Sequence, residues 1–142
     1  MRKKIQFDIV QIPYSVFDRR FEPFLPELKS RGVTIFVRSV FLQGLVFLDP
    51  NRLTGRLTKA AEPLRRLHAI AEEQRIAVDA ICLNFPLLNP LVDKVIIGVD
   101  GLTQLKKNVQ ALAEVAKLKL ATNALINVNC SDEDVILPQR WK

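Results

Sequence analysis

Gly32-Val33-Thr34-Ile35-Phe36-Val37 is the most telling segment of the chain. Five β-branched or aromatic residues follow a glycine without a break, which predicts a strand. A continuous apolar run of this kind suits a parallel strand covered on both faces. On its N-terminal side the period changes. Phe21, Phe24, Leu25 and Leu28 fall at i, i+3, i+4 and i+7, one face of a helix that Asp18 precedes. Pro23 and Pro26 sit near the start of that helix, where proline is tolerated. Lys29, Arg31 and Gly32 form a helix C-terminal signal. Further back, Ile5 to Ile12 reads as another strand, ended by Pro13. The opening segment is therefore the second strand of a β–α–β unit, with parallel strands and a right-handed crossover.

Downstream, Leu42 to Thr58 contains Gly44, Asp49-Pro50-Asn51 and Gly55 with no steady period, and reads as a long loop. Lys59 to Gln74 is a helix with Leu64, Leu67, Ile70 and Ala71 inward and Arg65, Arg66, Glu72 and Glu73 outward. Val78 to Leu88 reads as a buried helix in conflict with Pro86, so it kinks there or stops near Phe85. Val95-Ile96-Ile97-Gly98-Val99 is a third strand. Asp100 and Gly101 lead into a helix whose stripe of Leu102, Leu105, Val109, Leu112 and Ala116 is expected to pack, with Gln104 and Asn108 on another side. In the tail, residues 119–142, Ser131 with Asp132 to Asp134 is expected to cap one last helical turn. The predicted order is β–α–β–loop–α–α–β–α–tail. Three parallel strands leave two open edges.

Composition narrows the function. The 142 residues are 49% apolar and 25% charged, the profile of one globular region spanning residues 1–142 rather than of a disordered chain. The net charge of +6 invites a nucleic-acid or anionic-membrane reading. Yet Arg2, Lys3 and Lys4 carry +3, Arg140 and Lys142 carry +2, and the body between is left with +1. No nucleic-acid or membrane partner is expected from that pattern. Cys82, Cys130 and the single His68 cannot supply a zinc site, so no metal is expected. The longest uncharged stretch, Ala80 to Val92, is 13 residues, short of the roughly 18 of a membrane span. The basic start is not followed by an apolar signal-peptide core. A soluble, reduced, cytoplasmic protein is the expectation.

Several motifs in order resemble a known family. Asp8-Ile9-Val10-Gln11-Ile12-Pro13-Tyr14-Ser15, Arg31-Gly32-Val33, and Val37-Arg38-Ser39-Val40-Phe41-Leu42-Gln43-Gly44-Leu45 look like the second half of an aldo/keto reductase. Val95-Ile96-Ile97-Gly98-Val99 with Gln104, Leu105 and Asn108 resembles that family's last strand and cofactor-binding helix, and Leu137-Pro138 with Trp141 resembles the close of bacterial members. The resemblance implies an α/β fold that is part of a (β/α)8 barrel, its sixth to eighth strands. A complete barrel takes about 250 residues. It also implies NADP(H)-dependent interconversion of carbonyls and alcohols by hydride transfer.

Residue by residue, the resemblance implies that Gln11 contacts the nicotinamide carboxamide. Arg38 stands where many members stack an aromatic ring. Ser39 and Phe41 match the pyrophosphate loop, with Leu42 and Gly44 completing its turn. Gly98 and Val99 match the start of the last phosphate loop, where many members carry Lys and Ser, which weakens charge recognition of a 2′-phosphate. Gln104 and Asn108 match adenine-side positions, and Lys107 lies where some members hold Glu. The family's Asp, Tyr, Lys and His belong to the first half of the barrel. Tyr14 and His68, the chain's one tyrosine and one histidine, fall elsewhere, so no catalytic residue and no independent activity are expected. The expected partner is an N-terminal half-barrel chain completing a split reductase, or a second copy joined through the open edges. A non-catalytic binding or scaffolding module derived from the family is the other alternative.

Overall fold

The computed structural model describes residues 6–141. The expected strand start at Ile5 and the basic residues Arg2, Lys3, Lys4 and Lys142 lie outside the described residues. Three parallel strands, β1 (Ile9–Pro13), β2 (Thr34–Arg38) and β3 (Lys94–Val95), form one sheet in that order. Ile9 pairs with Thr34 and Pro13 with Arg38. Phe36 pairs with Lys94 and Val37 with Val95. The third strand is shorter than its sequence pattern. It starts one residue earlier than expected and leaves the ladder after Val95, with one more bond from Ile96 N–H to the Val37 carbonyl at 2.7 Å. With a neighbour on one side only, Ile97 to Val99 have no second ladder to extend into.

Helices cover one face of this sheet. A 3-10 turn (Glu22–Phe24) leads into α1 (Leu25–Ser30), each beginning with a proline in its first turn. Gly32 leaves α1 at φ +76, a left-handed value that glycine adopts without steric cost. The predicted long loop holds two 3-10 stretches, Leu42–Phe47 and Gly55–Ala60, and buries Leu45 and Val46. Next come α2 (Ala61–Gln74), with Leu64, Leu67, Ile70 and Ala71 buried as expected, and α3 (Val78–Asn84). Pro86 does not kink α3. The helix stops at Asn84 and a 3-10 turn (Phe85–Leu88) takes the proline in its first turn, where no intrahelical donor is lost. After β3 come α4 (Leu102–Ala111), a 3-10 turn (Leu112–Glu114), α5 (Val115–Ala121), a further 3-10 turn (Thr122–Val128) and α6 (Glu133–Ile136). The cap of α6 is Asp132, whose side chain accepts from Asp134 N–H at 2.9 Å, rather than Ser131.

The core lies between the sheet and these helices. Ile12, Ile35 and Val37 point into it with Leu64, Leu67 and Ile81. Among the described residues, nothing packs on the other face of the sheet. Ile9, Gln11, Arg38, Lys94 and Ile96 are exposed on it, and the Lys94 ammonium lies 5.3 Å from the centre of the Phe36 ring. The expectation that β2 is covered on both faces is thus corrected, because among the described residues no layer packs on its Thr34, Phe36 and Arg38 side. The α4 stripe is corrected for a related reason. Leu102 is 66% exposed and Val109 59%, and Leu105 and Leu112 are exposed too. The helix instead packs through Asn108 and Ala111, with Asn84 on α3 donating from Nδ2 to the Ala111 carbonyl at 2.7 Å. Amphipathic spacing marks the apolar side correctly, but none of the described residues covers it.

Candidate functional site

Parallel strands deliver their C-terminal ends to one rim, where ligand sites of such folds are built. Here the segments leaving β2 and β3 enclose a cleft of about 560 Å³. Ser39, Phe41, Leu42 and Gly44 line its β2 side, with Val40, Gln43 and Phe47. Gly98 and Gln104 line its β3 side, with Ile96, Ile97 and Asp100. The register Val37 to Val95 brings the two segments together.

The β2 side has an unusual backbone. Ser39 is left-handed at φ +62, and Leu42, Gln43 and Gly44 follow at +44, +54 and +84. Only the glycine takes such values freely; each other residue stores strain of about 1–3 kcal/mol, the kind that clusters at ligand clamps. The turn is held by Leu42 N–H to the Ser39 carbonyl at 3.0 Å and Gly44 N–H to the Phe41 carbonyl at 2.9 Å. Consecutive left-handed residues curl the backbone sharply, and the Leu42 and Gly44 N–H groups are spent on closing that turn. A Cβ placed on Gly44 would stand in open space with no atom within 4 Å, so the space there is free. Arg38 reinforces this side by donating from Nη1 to Ser39 Oγ at 3.0 Å.

On the β3 side, Gly101 precedes α4, whose N-terminus carries partial positive charge. Gln104 reaches back, its Oε1 accepting from Asp100 N–H at 2.7 Å, and so fixes the loop to the first turn of the helix. The cleft therefore carries neutral hydroxyl and amide groups on its Ser39–Gly44 side and a carboxylate on the other.

Four of the residues singled out from sequence lie outside this cleft's lining. Gln11 and Arg38 stand on the open sheet face, two residues apart in register on neighbouring strands. Val99 is exposed on the loop before α4. Asn108 is only 4% exposed and lines a separate hollow of about 370 Å³ beside the free edge of β3, where its Nδ2 has no hydrogen-bond partner. Asp100 was missed. Its signal was its place between two glycines at a helix start, which marks a loop able to approach a ligand.

Neither Tyr14 nor His68 lines the cleft. Tyr14 is buried in a different hollow, where its phenol donates to Glu22 Oε1 at 3.0 Å and accepts from Asn89 Nδ2 at 3.3 Å. Burial, aided by the Glu22 carboxylate and opposed by Asn89, pushes its pKa up to about 12. A general acid is tuned toward the working pH, so this shift runs the wrong way for catalysis. His68 Nε2 lies 2.8 Å from the Val46 carbonyl and ties α2 to the loop. Among the described residues, no three His, Cys, Asp or Glu side chains gather to hold a metal ion, and no helix is long and apolar enough to cross a membrane.

Because the chain has one tyrosine, an alkaline titration reads Tyr14 alone. Its phenolate absorbance is expected to rise with a midpoint near 12 in the folded protein, against about 10 for an ordinary phenol. The raised value means that stability is fully present below the ordinary phenol pKa and is lost as pH climbs through the folded one. A midpoint near the ordinary value would show that the pocket does not hold the phenol as described.

The sequence profile of the aldo/keto reductase family matches residues 1–126. An uncharacterised oxidoreductase, YqkF, of Bacillus subtilis (strain 168) is 28% identical, over 77% of this chain and 39% of the relative. Pyridoxal 4-dehydrogenase of Microbacterium luteolum is 30% identical, over 68% of this chain and 30% of the relative. The chain thus spans well under half the length of these two relatives. Two structures of an aldo-keto reductase from Bacillus halodurans, the holo and apo forms, superpose with TM-scores of 0.60 and 0.63. They cover 99% of this chain and 48% of their own, at 19% identity, a likeness of fold alone. The open three-stranded sheet is accordingly part of a (β/α)8 barrel, and the chain belongs to the aldo/keto reductase family.

Proposed function

We propose that this chain is the cofactor side of a reductase barrel that interconverts carbonyls and alcohols by hydride transfer, and that it does not carry out this reaction unaided. The observation that carries the reading is the cleft at the ends of β2 and β3, in which Ser39, Phe41, Leu42, Gly44, Gly98 and Gln104 converge. The resemblance names the cofactor as NADP(H), which supplies the hydride when bound. In this reading the left-handed turn at Leu42–Gly44, with Ser39, receives the pyrophosphate, and the loop Gly98–Asp100 with Gln104 receives the adenosine end. Gln11 and Arg38, on the open sheet face, meet the nicotinamide end. The resemblance gives Asn108 the adenine side too, and its buried Nδ2 is without a hydrogen-bond partner.

The open face and the α4 stripe support a partner of five further strands, an N-terminal half-barrel chain, as the body that covers them. Residual binding by the chain alone is expected to be weak, because half of the site's walls are absent from it. In a titration of the isotopically labelled chain with the oxidised dinucleotide, backbone amide shifts are expected at residues 39–44 and 98–104, with a Kd of roughly millimolar or weaker. Shifts confined to the Tyr14 hollow or the Asn108 hollow would overturn the assignment of the cleft.

A further inference from the structure

We propose that Asp100 makes this cleft select NAD(H) over NADP(H), an inference that rests on the cofactor reading above and departs from the cofactor that the resemblance implies. Among the described residues lining the cleft, Asp100 is the only ionisable side chain. It lies on the β3 side, on the loop that Gln104 holds in place through the Asp100 N–H at 2.7 Å. The nearest cation on the opposite side, Arg38, is committed to Ser39 Oγ at 3.0 Å. The lining is therefore polarised, neutral along the Ser39–Gly44 side and with one carboxylate on the β3 side, at the adenosine end of the reading above.

The two dinucleotides differ at one position of the adenosine ribose. NAD(H) carries a 2′-hydroxyl, which donates a hydrogen bond to a carboxylate. NADP(H) carries a 2′-phosphate instead, an acceptor-only group with a charge of about −1.5 to −2 at neutral pH. Placed against Asp100 it meets like charge and finds no lysine or arginine in the lining to compensate. Gly98 and Gln104 offer no charge either, and the Gln104 carbonyl oxygen is already engaged by the loop. The same carboxylate that welcomes a ribose diol thus excludes its phosphorylated form.

The test compares NAD+ with NADP+ in binding titrations of the labelled chain, read at the amides of residues 98–104 and needing no turnover. NAD+ is expected to bind at least about tenfold more tightly, about 1.4 kcal/mol. Asp100 is exposed at a loop position, so its substitution leaves the core untouched. Asp100→Asn should shrink the ratio, and Asp100→Lys should reverse it in favour of NADP+. Equal affinities, tighter NADP+ binding by the unaltered chain, or an unchanged ratio in Asp100→Lys would overturn the selectivity while leaving the cofactor reading in place. Absence of shifts at the cleft with both dinucleotides would overturn the two together.

Discussion

Ile35→Ala is expected to lower the unfolding free energy by about 2–5 kcal/mol. Ile35 is fully buried at the middle of β2, the one strand with a neighbour on each side, and its side chain points toward the helix layer. Truncation removes apolar contacts and leaves a cavity that sheet and helices cannot both close around. Domains of this size are stable by about 5–15 kcal/mol, so the loss is a large share of the total. The companion substitution Ile9→Ala separates this account from a closed sheet. Ile9 lies on β1 but is 56% exposed on the open face, so its truncation should cost less than about 0.5 kcal/mol. Urea unfolding with unchanged slope reads both effects. Equal costs at the two positions would mean that the open face is covered in solution.

Much of this architecture was legible in the sequence because local chemistry dictated it. A glycine that leaves α1 at positive φ, followed by a β-branched run, announces helix end and strand start together. The conflict at Pro86 was legible too, and its resolution follows from the ring: a proline fits the first turn of a new 3-10 stretch far better than the interior of an old helix. What the sequence could not convey was coverage. The Leu102, Leu105, Val109 and Leu112 stripe has the spacing of a packed face, yet periodicity describes one helix and carries no information on whether another layer lies against it. The same holds for β2, whose continuous apolar run suggested two covered faces when only one is covered here.

The site followed the same division. Ser39, Phe41, Leu42, Gly44, Gly98 and Gln104 were quoted from two distant segments, and the parallel register of β2 with β3 brings them into one cleft. Asn108 shows how depth along one helix side differs. It lies one helical turn after Gln104, so both were placed on one side of α4. Gln104 sits in the first turn, beside the loop, whereas Asn108 is buried beside the hollow at the edge of β3. Asp100 stands between Gly98 and Gly101, a signal that by itself reads as the approach to a helix and not as a site. Only the closure of the cleft around it reveals that no cation shares the lining.

The absence of independent catalysis is the largest effect the account predicts. Proton transfer by a positioned acid contributes a factor of about 10²–10⁴, and hydride transfer needs a substrate pocket with such a donor beside it. The chain has one tyrosine and one histidine. Tyr14 is a neutral phenol held by Glu22 and Asn89, and His68 is spent on the Val46 carbonyl. Steady-state oxidation of NADH and NADPH should therefore be followed with the purified chain and a broad panel of aldehydes and ketones, from a host lacking its own reductases. The account predicts no turnover above the protein-free rate with either cofactor. Turnover that co-purifies with the chain and scales with its concentration would contradict it.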